Sequence, residues 1–123
     1  MTPESTLLRE VRYTLGRAPD VTIWRNNTGK LRDDRGRVVT YGLAVGSSDL
    51  VGVLAPWGRL VCLEIKVKTR LTAEQDAWLS LVRSKGAFGA VVHSTEEAEA
   101  ALARARMECR EWWGAVRGLR APG

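Results

Sequence analysis

The chain is poor in the side chains that most often carry catalysis or cross-linking, with one histidine and two cysteines among 123 residues. Each scarcity removes a class of function. Cys62 and Cys109 stand far apart in sequence, so they make neither a disulfide framework nor a zinc site, whose ligands come in close pairs. Both are expected to be reduced, and Cys62, set in an apolar run, belongs in the core. A Ser-His-Asp triad would have to use His93, which closes the apolar run Phe88 to Val92, and no nucleophile-elbow motif accompanies it. Catalysis therefore has to run on carboxylates, on lysine, or on a hard metal held by oxygen. No run approaches the ~18 apolar residues of a membrane span, and Met1-Thr2-Pro3-Glu4 opens no signal-peptide pattern. A cytoplasmic chain with no membrane partner is expected.

What is present is ordinary in amount and uneven in kind. A hydrophobic content of 45% with 27% charged residues suits one globular domain and is too apolar for a disordered chain. Nineteen Lys and Arg against fourteen Asp and Glu leave a formal charge of +5. Fifteen of the nineteen cations are arginine, the better fork for phosphate, so the balance fits a polyanionic partner.

Thr2-Pro3 starts a helix, with a capping hydroxyl and then proline at the first helical position. Leu7, Leu8, Val11 and Leu15 recur at helical spacing until Gly16. Val21 to Arg25 and Val38 to Tyr41 are strand candidates, separated by a polar loop or hairpin tip over residues 28–37. The clearest hairpin joins Leu50–Ala55 to Leu60–Val67 through Pro56-Trp57-Gly58-Arg59. Thr72-Ala73-Glu74-Gln75 reads as a capping box for a helix ending near Gly86, and Phe88 to His93 is a strand. Ser94-Thr95-Glu96-Glu97 is a second capping box, opening an Ala/Arg-rich helix to about Glu111. Residues 1–111 make the domain and 112–123 a C-terminal tail. The order α-β-β-β-β-α-β-α defines an α/β domain with a mixed sheet flanked by helices.

The hairpin carries the chemistry. With its loop centred on Trp57-Gly58, Asp49 faces Lys66 and Val51 faces Glu64, leaving Asp49 diagonal to Glu64 at roughly 7–8 Å. Asp49, Glu64 and Lys66 then share one face of the sheet, and Leu63, Ile65 and Val67 point the other way into the core. A Glu-x-Lys on a solvated outer face is common. The run Leu60 to Val67, however, is apolar like a central strand, where charges are costly unless paired or metal-bound. Two carboxylates and one lysine leave a single negative charge, room for a divalent cation such as Mg²⁺. Glu4 falls near the centre of the apolar arc of the first helix, although a first-turn acid is also favoured by the helix dipole. Gln75 shares the stripe of Trp78, Leu79 and Val82, so it either caps its helix or points into the same cleft.

Asp49 followed fifteen residues on by Glu64-Ile65-Lys66 resembles the D…ExK core of the PD-(D/E)xK nuclease superfamily. The wider ordered set is more specific. Glu4, Arg25-Asn26-Asn27-Thr28-Gly29, Gly46-Ser47-Ser48-Asp49-Leu50, Leu63-Glu64-Ile65-Lys66 and Leu71-Thr72-Ala73-Glu74-Gln75 together resemble the VRR-NUC (virus-type replication-repair nuclease) family of phage and bacterial stand-alone type. One departure is Ser48, where many members carry proline. The resemblance implies a restriction-endonuclease-like core and metal-dependent hydrolysis of DNA phosphodiesters, with no nucleotide cofactor. Carried over by position, Asp49, Glu64 and the Ile65 carbonyl would ligate Mg²⁺ or Mn²⁺, and Glu4 would complete the acidic cluster directly or through water. Lys66 would orient and help activate the attacking water, and Gln75 would support the site. Arg25, Asn26 and Lys68 are candidates for phosphate contacts, with scaffold roles open for Arg25 and Asn26. Such enzymes resemble Holliday-junction resolvases, which implies a homodimer cutting branched DNA, with Trp57, Trp112 or Trp113 on the dimer surface, at a junction wedge, or in the core. A non-catalytic DNA-binding module, or a nuclease acting on other DNA or on RNA, stays open as an alternative.

Overall fold

The computed structural model describes residues 2–119. The chain opens with α1 (Pro3–Gly16), where Thr2 is the N-cap and its hydroxyl accepts the Ser5 N–H at 3.0 Å. Leu7, Val11 and Leu15 form its buried stripe, as the spacing predicts. The elements that follow are β1 (Val21–Arg25), β2 (Gly29–Arg32), β3 (Val38–Tyr41), β4 (Leu50–Leu54) and β5 (Arg59–Ile65). The chain then runs through α2 (Ala73–Ser84), β6 (Phe88–Val92) and α3 (Thr95–Leu119).

The main sheet has the order β1-β4-β5-β6, antiparallel up to β5 and parallel between β5 and β6. This is the expected mixed sheet flanked by helices. Strand β5 is buried on both faces, which explains its nearly unbroken apolar run. Val61, Leu63 and Ile65 pack in the larger core with the stripes of α1 and α3. Cys62 packs with Leu79 and Val82 of α2 on the opposite face. Both cysteines are free and buried. Among the described residues no helix is long and apolar enough to cross a membrane.

Four local expectations need correction. Residues 28–37 are not only a loop, because β2 pairs with β3 in a separate two-stranded sheet, which adds a strand to the predicted order. Its turn is held by the Asp33 carboxylate, which accepts the Arg35 and Arg37 N–H groups and pairs with the Arg37 guanidinium, each at 2.9 Å. Polar side chains that staple a turn leave no hydrophobic period to read.

The β4–β5 register is also displaced by two residues, with Leu50 opposite Leu63 and Leu54 opposite Arg59. The loop is Ala55 to Gly58; Gly58 supplies a positive φ of 71° at its last position and lets Arg59 open β5. A slip of two keeps every side chain on its face, so only the partners change.

The third difference is α3, which does not end near Glu111 but runs to Leu119. No proline intervenes, and an interior glycine such as Gly114 costs only about 1 kcal/mol. Residues 120–123 of the expected tail lie outside the described residues. Trp112 and Trp113 are exposed on this helix with ring centroids 6.1 Å apart, whereas Trp57 is half-buried against the larger core. Last, the second capping box is only half formed. Ser94 accepts the Glu97 N–H at 3.1 Å, but the Glu97 carboxylate turns to the N–H and ring of His93, at 2.7 and 2.8 Å.

The approach to β1 is fastened to α3 by a two-pronged pair, Arg106 Nε and Nη2 donating to Asp20 at 2.6 and 2.8 Å. The hydrogen bond from Arg106 holds the Asp20 carboxyl below its ordinary 3.8. A lowered carboxyl adds stability above its unfolded value and loses it as pH falls through the folded one. Asp20→Asn is therefore expected to cost about 1 kcal/mol at neutral pH. The deficit should shrink as pH drops below 3.8, which urea unfolding of both proteins at neutral and acid pH will measure.

Candidate active site

The site forms where β4 begins and β5 ends. Beyond the last β1–β4 pair, Arg25 with Leu50, the Asp49 carbonyl accepts the Asn26 N–H at 2.8 Å. Its side chain reaches across to β5, where Oδ2 accepts the Ile65 N–H at 2.8 Å. Carrying the register one step past Leu50–Leu63 sets Asp49 opposite Glu64, on the same face. The expected diagonal becomes a direct pairing, and the expected facing of Asp49 with Lys66 is not formed.

The loop before Asp49 is pinned from two sides. The Asn26 side-chain amide donates to Ser47 Oγ at 2.7 Å and to the Ser48 carbonyl at 3.0 Å, so its contacts are to the scaffold. Gly46, at a φ of +83°, lies against the Glu74 backbone, where a Cβ would collide. That contact docks the loop on the first turn of α2, where Gln75 stands.

Glu64 is 1% exposed, in the interior of the sheet. Its Oε1 accepts the Gln75 side-chain N–H at 3.2 Å, while its Oε2 is buried with no partner among the described residues. The Gln75 Oε1 meanwhile accepts the Thr72 N–H at 2.9 Å. One side chain thus closes the capping box and reaches the cleft, the two roles that the sequence left as alternatives. Lys66 follows β5, is 7% exposed, and extends the parallel pairing by donating its N–H to the Val92 carbonyl at 3.1 Å. Burial first, and then the Asp49 carboxylate, push the Glu64 carboxyl up to about 9 against the pull of Lys66.

Glu4 comes from the first turn of α1, half-buried, with its Oε2 accepting the Thr69 hydroxyl at 3.0 Å. Its charge is felt at Glu64. Among the described residues, no three His, Cys, Asp or Glu side chains gather closely enough to hold a metal. The structure places Glu4 on the Thr69 hydroxyl at the start of α1. The pair itself suits a hard cation, since Mg²⁺ typically takes only one or two carboxylates and keeps several waters. Two crowded acids and an orphaned buried carboxylate oxygen are the features that such an ion neutralises. Asp49 and Glu64 can hold it, with the carbonyl of Ile65, the last residue of β5, as a further oxygen.

Arg25 and Lys68 are exposed, at the end of β1 and in the bend after β5, and neither has an ion-pair partner among the described residues. His93 stands at this end of the sheet too, with its ring engaged by Glu97. Beneath the acids, the Ser48 hydroxyl and the Trp78 indole N–H are buried near the Cys62 thiol without meeting hydrogen-bond geometry. Burial pushes that thiol up. Trp78 was visible as part of the α2 stripe, but nothing local marks Ser48 as buried, because a small polar residue is covered only by tertiary packing.

No protein-family model matches the chain, and no curated protein matches it.

An acid whose folded value is raised contributes stability below its unfolded value and loses it as pH rises through the folded one. In a metal-chelating buffer, Glu64→Gln is therefore expected to melt at a higher temperature than the wild type. The gain should be largest near pH 9 and vanish by pH 4.5, as thermal melts across that range will show.

Proposed function

We propose that the chain is a metal-dependent DNA endonuclease of the VRR-NUC kind, with a PD-(D/E)xK, restriction-endonuclease-like core, acting as a homodimer on branched DNA. The observation that carries this reading is the Asp49 carboxylate seated on the Ile65 N–H at 2.8 Å next to buried Glu64, one of whose oxygens has no partner among the described residues, with Lys66 two residues on. A module made only to bind DNA gains nothing from two acids beside the phosphate path, which repel the backbone.

Asp49, Glu64 and the Ile65 carbonyl would hold Mg²⁺ or Mn²⁺. An ion held there would supply a lowered pKa for bound water and positive charge for the phosphoryl and leaving oxygens. The residues of the chain do the rest. The Ile65 N–H fixes the rotamer of Asp49, and Gln75 fixes that of Glu64. Lys66, nearly buried on the same face, has an ammonium whose N–H groups orient the attacking water and whose charge favours hydroxide over water. Arg25 and Lys68 supply exposed cations toward the strand, while Asn26 holds the loop of Asp49. One chain carries one such site, so symmetric cutting of two strands takes two copies, and the exposed Trp112 and Trp113 offer an aromatic surface for that contact.

Purified protein is expected to cut a four-way junction in Mg²⁺ or Mn²⁺, faster than a flap, a nick or linear duplex, and to stop when the metal is chelated. Asp49→Ala and Lys66→Ala should each lose at least about 100-fold in cleavage rate while retaining DNA binding. Cleavage that resists chelator, or full activity in either variant, overturns the assignment. Light scattering should return twice the chain mass.

A further inference from the structure

A cluster of arginines gathers between α1 and the end of β1. Ser5, Arg9 and Arg12 lie four and three residues apart on α1, so they form one stripe along the helix, edged by Leu8. Arg25 reaches the same place from the end of β1. Together these five residues line a cavity of about 510 Å³.

Arg37, Arg59 and Arg106 are in ion pairs, and Arg32 and Arg83 donate to main-chain carbonyls. Arg9, Arg12 and Arg25 make none of these contacts among the described residues. Arg17, Arg35, Arg70, Arg104 and Arg110 likewise show no ion pair or side-chain bond to the main chain among the described residues, so what marks this cluster is that its three arginines line one cavity. Three guanidinium groups around one hollow repel one another unless an anion joins them, and their planar forks match phosphate oxygens.

The position is equally specific. Ser5 follows Glu4, whose charge reaches Glu64, and Arg25 precedes Asn26, whose N–H holds the Asp49 carbonyl at 2.8 Å. The cavity lining is therefore the chain neighbour of Glu4 on one side and of Asn26, which holds Asp49, on the other. We infer that Arg9, Arg12 and Arg25, with the Ser5 hydroxyl, hold non-scissile phosphates of the DNA strand whose cut phosphate lies at Asp49 and Glu64. This rests on the nuclease reading and adds to it the path by which the strand leaves the acids. A backbone repelled at the carboxylates is drawn along the α1–β1 side.

The test is binding of a four-way junction against salt concentration, followed by fluorescence anisotropy in a Glu64→Gln background that binds without cutting. Each phosphate contact contributes about 0.9 to the slope of log affinity against log salt. Arg9→Ala with Arg12→Ala should therefore lower the slope by about 2, whereas Arg9→Lys with Arg12→Lys should keep most of it. Lys85→Ala, at the far end of α2, should leave it unchanged. If the double alanine variant fails to fold in a thermal melt, Arg25→Ala replaces it, with an expected drop of about 1. An unchanged slope in a protein whose wild type cuts DNA overturns this site and spares the nuclease reading. Binding without any metal-dependent cutting by the wild type overturns the nuclease reading, and the slope still decides the arginine site. A wild type that neither binds nor cuts overturns both.

Discussion

A carboxylate buried in the interior of a sheet has to be stabilised by its neighbours, and the architecture around Glu64 is arranged by that constraint. Removing an ionised acid from water costs several kcal/mol unless it is paired, hydrogen-bonded or neutralised. At Glu64 only part of this is met within the chain. Gln75 gives one hydrogen bond, Lys66 gives a nearby positive charge, and Asp49 works in the opposite direction. The remaining oxygen has no partner among the described residues. An apolar side chain at this place would suit folding better, so the acid is retained at the expense of stability.

The supports of this acid reach through the fold. Asp49 is held by Ile65 from β5 and by Asn26 from beyond β1, so the strand that carries the first acid is tied on both sides. Gly46 lets the preceding loop dock on α2, and α2 in turn delivers Gln75. Charge is sorted in the same pattern. The acids are drawn together at one sheet end, and Arg9, Arg12 and Arg25, without ion-pair partners among the described residues, line one cavity of a +5 chain.

Most of the elements were legible because each has a local cause. Thr2 and Pro3 start α1, Thr72 and Gln75 start α2, and the apolar runs of β4, β5 and β6 have the length of buried strands. The failures are equally instructive. Strand β2 was hidden because Leu31 is its single large apolar residue and its hairpin is held by Asp33 and Arg37. Glu97 looked like a capping-box acid because the spacing was right, yet it serves His93, a neighbour that competes for the same carboxylate. The register slipped by two because a hairpin loop with proline and glycine can close at more than one length. The face survived because side chains alternate with a period of two.

The sequence by itself determined the chemistry available: one histidine and distant cysteines leave carboxylates, lysine or a hard metal held by oxygen, and the strand pattern sets Asp49, Glu64 and Lys66 on one face. Tertiary structure decided how those residues meet. It set Asp49 opposite Glu64, left Glu4 on Thr69, turned Asn26 into a scaffold, and gave Gln75 two bonds in place of one. Side-chain type and period are properties of the chain. Register, burial and the hydrogen bonds left unmade depend on which distant segments share a sheet end, and only the folded chain brings them together.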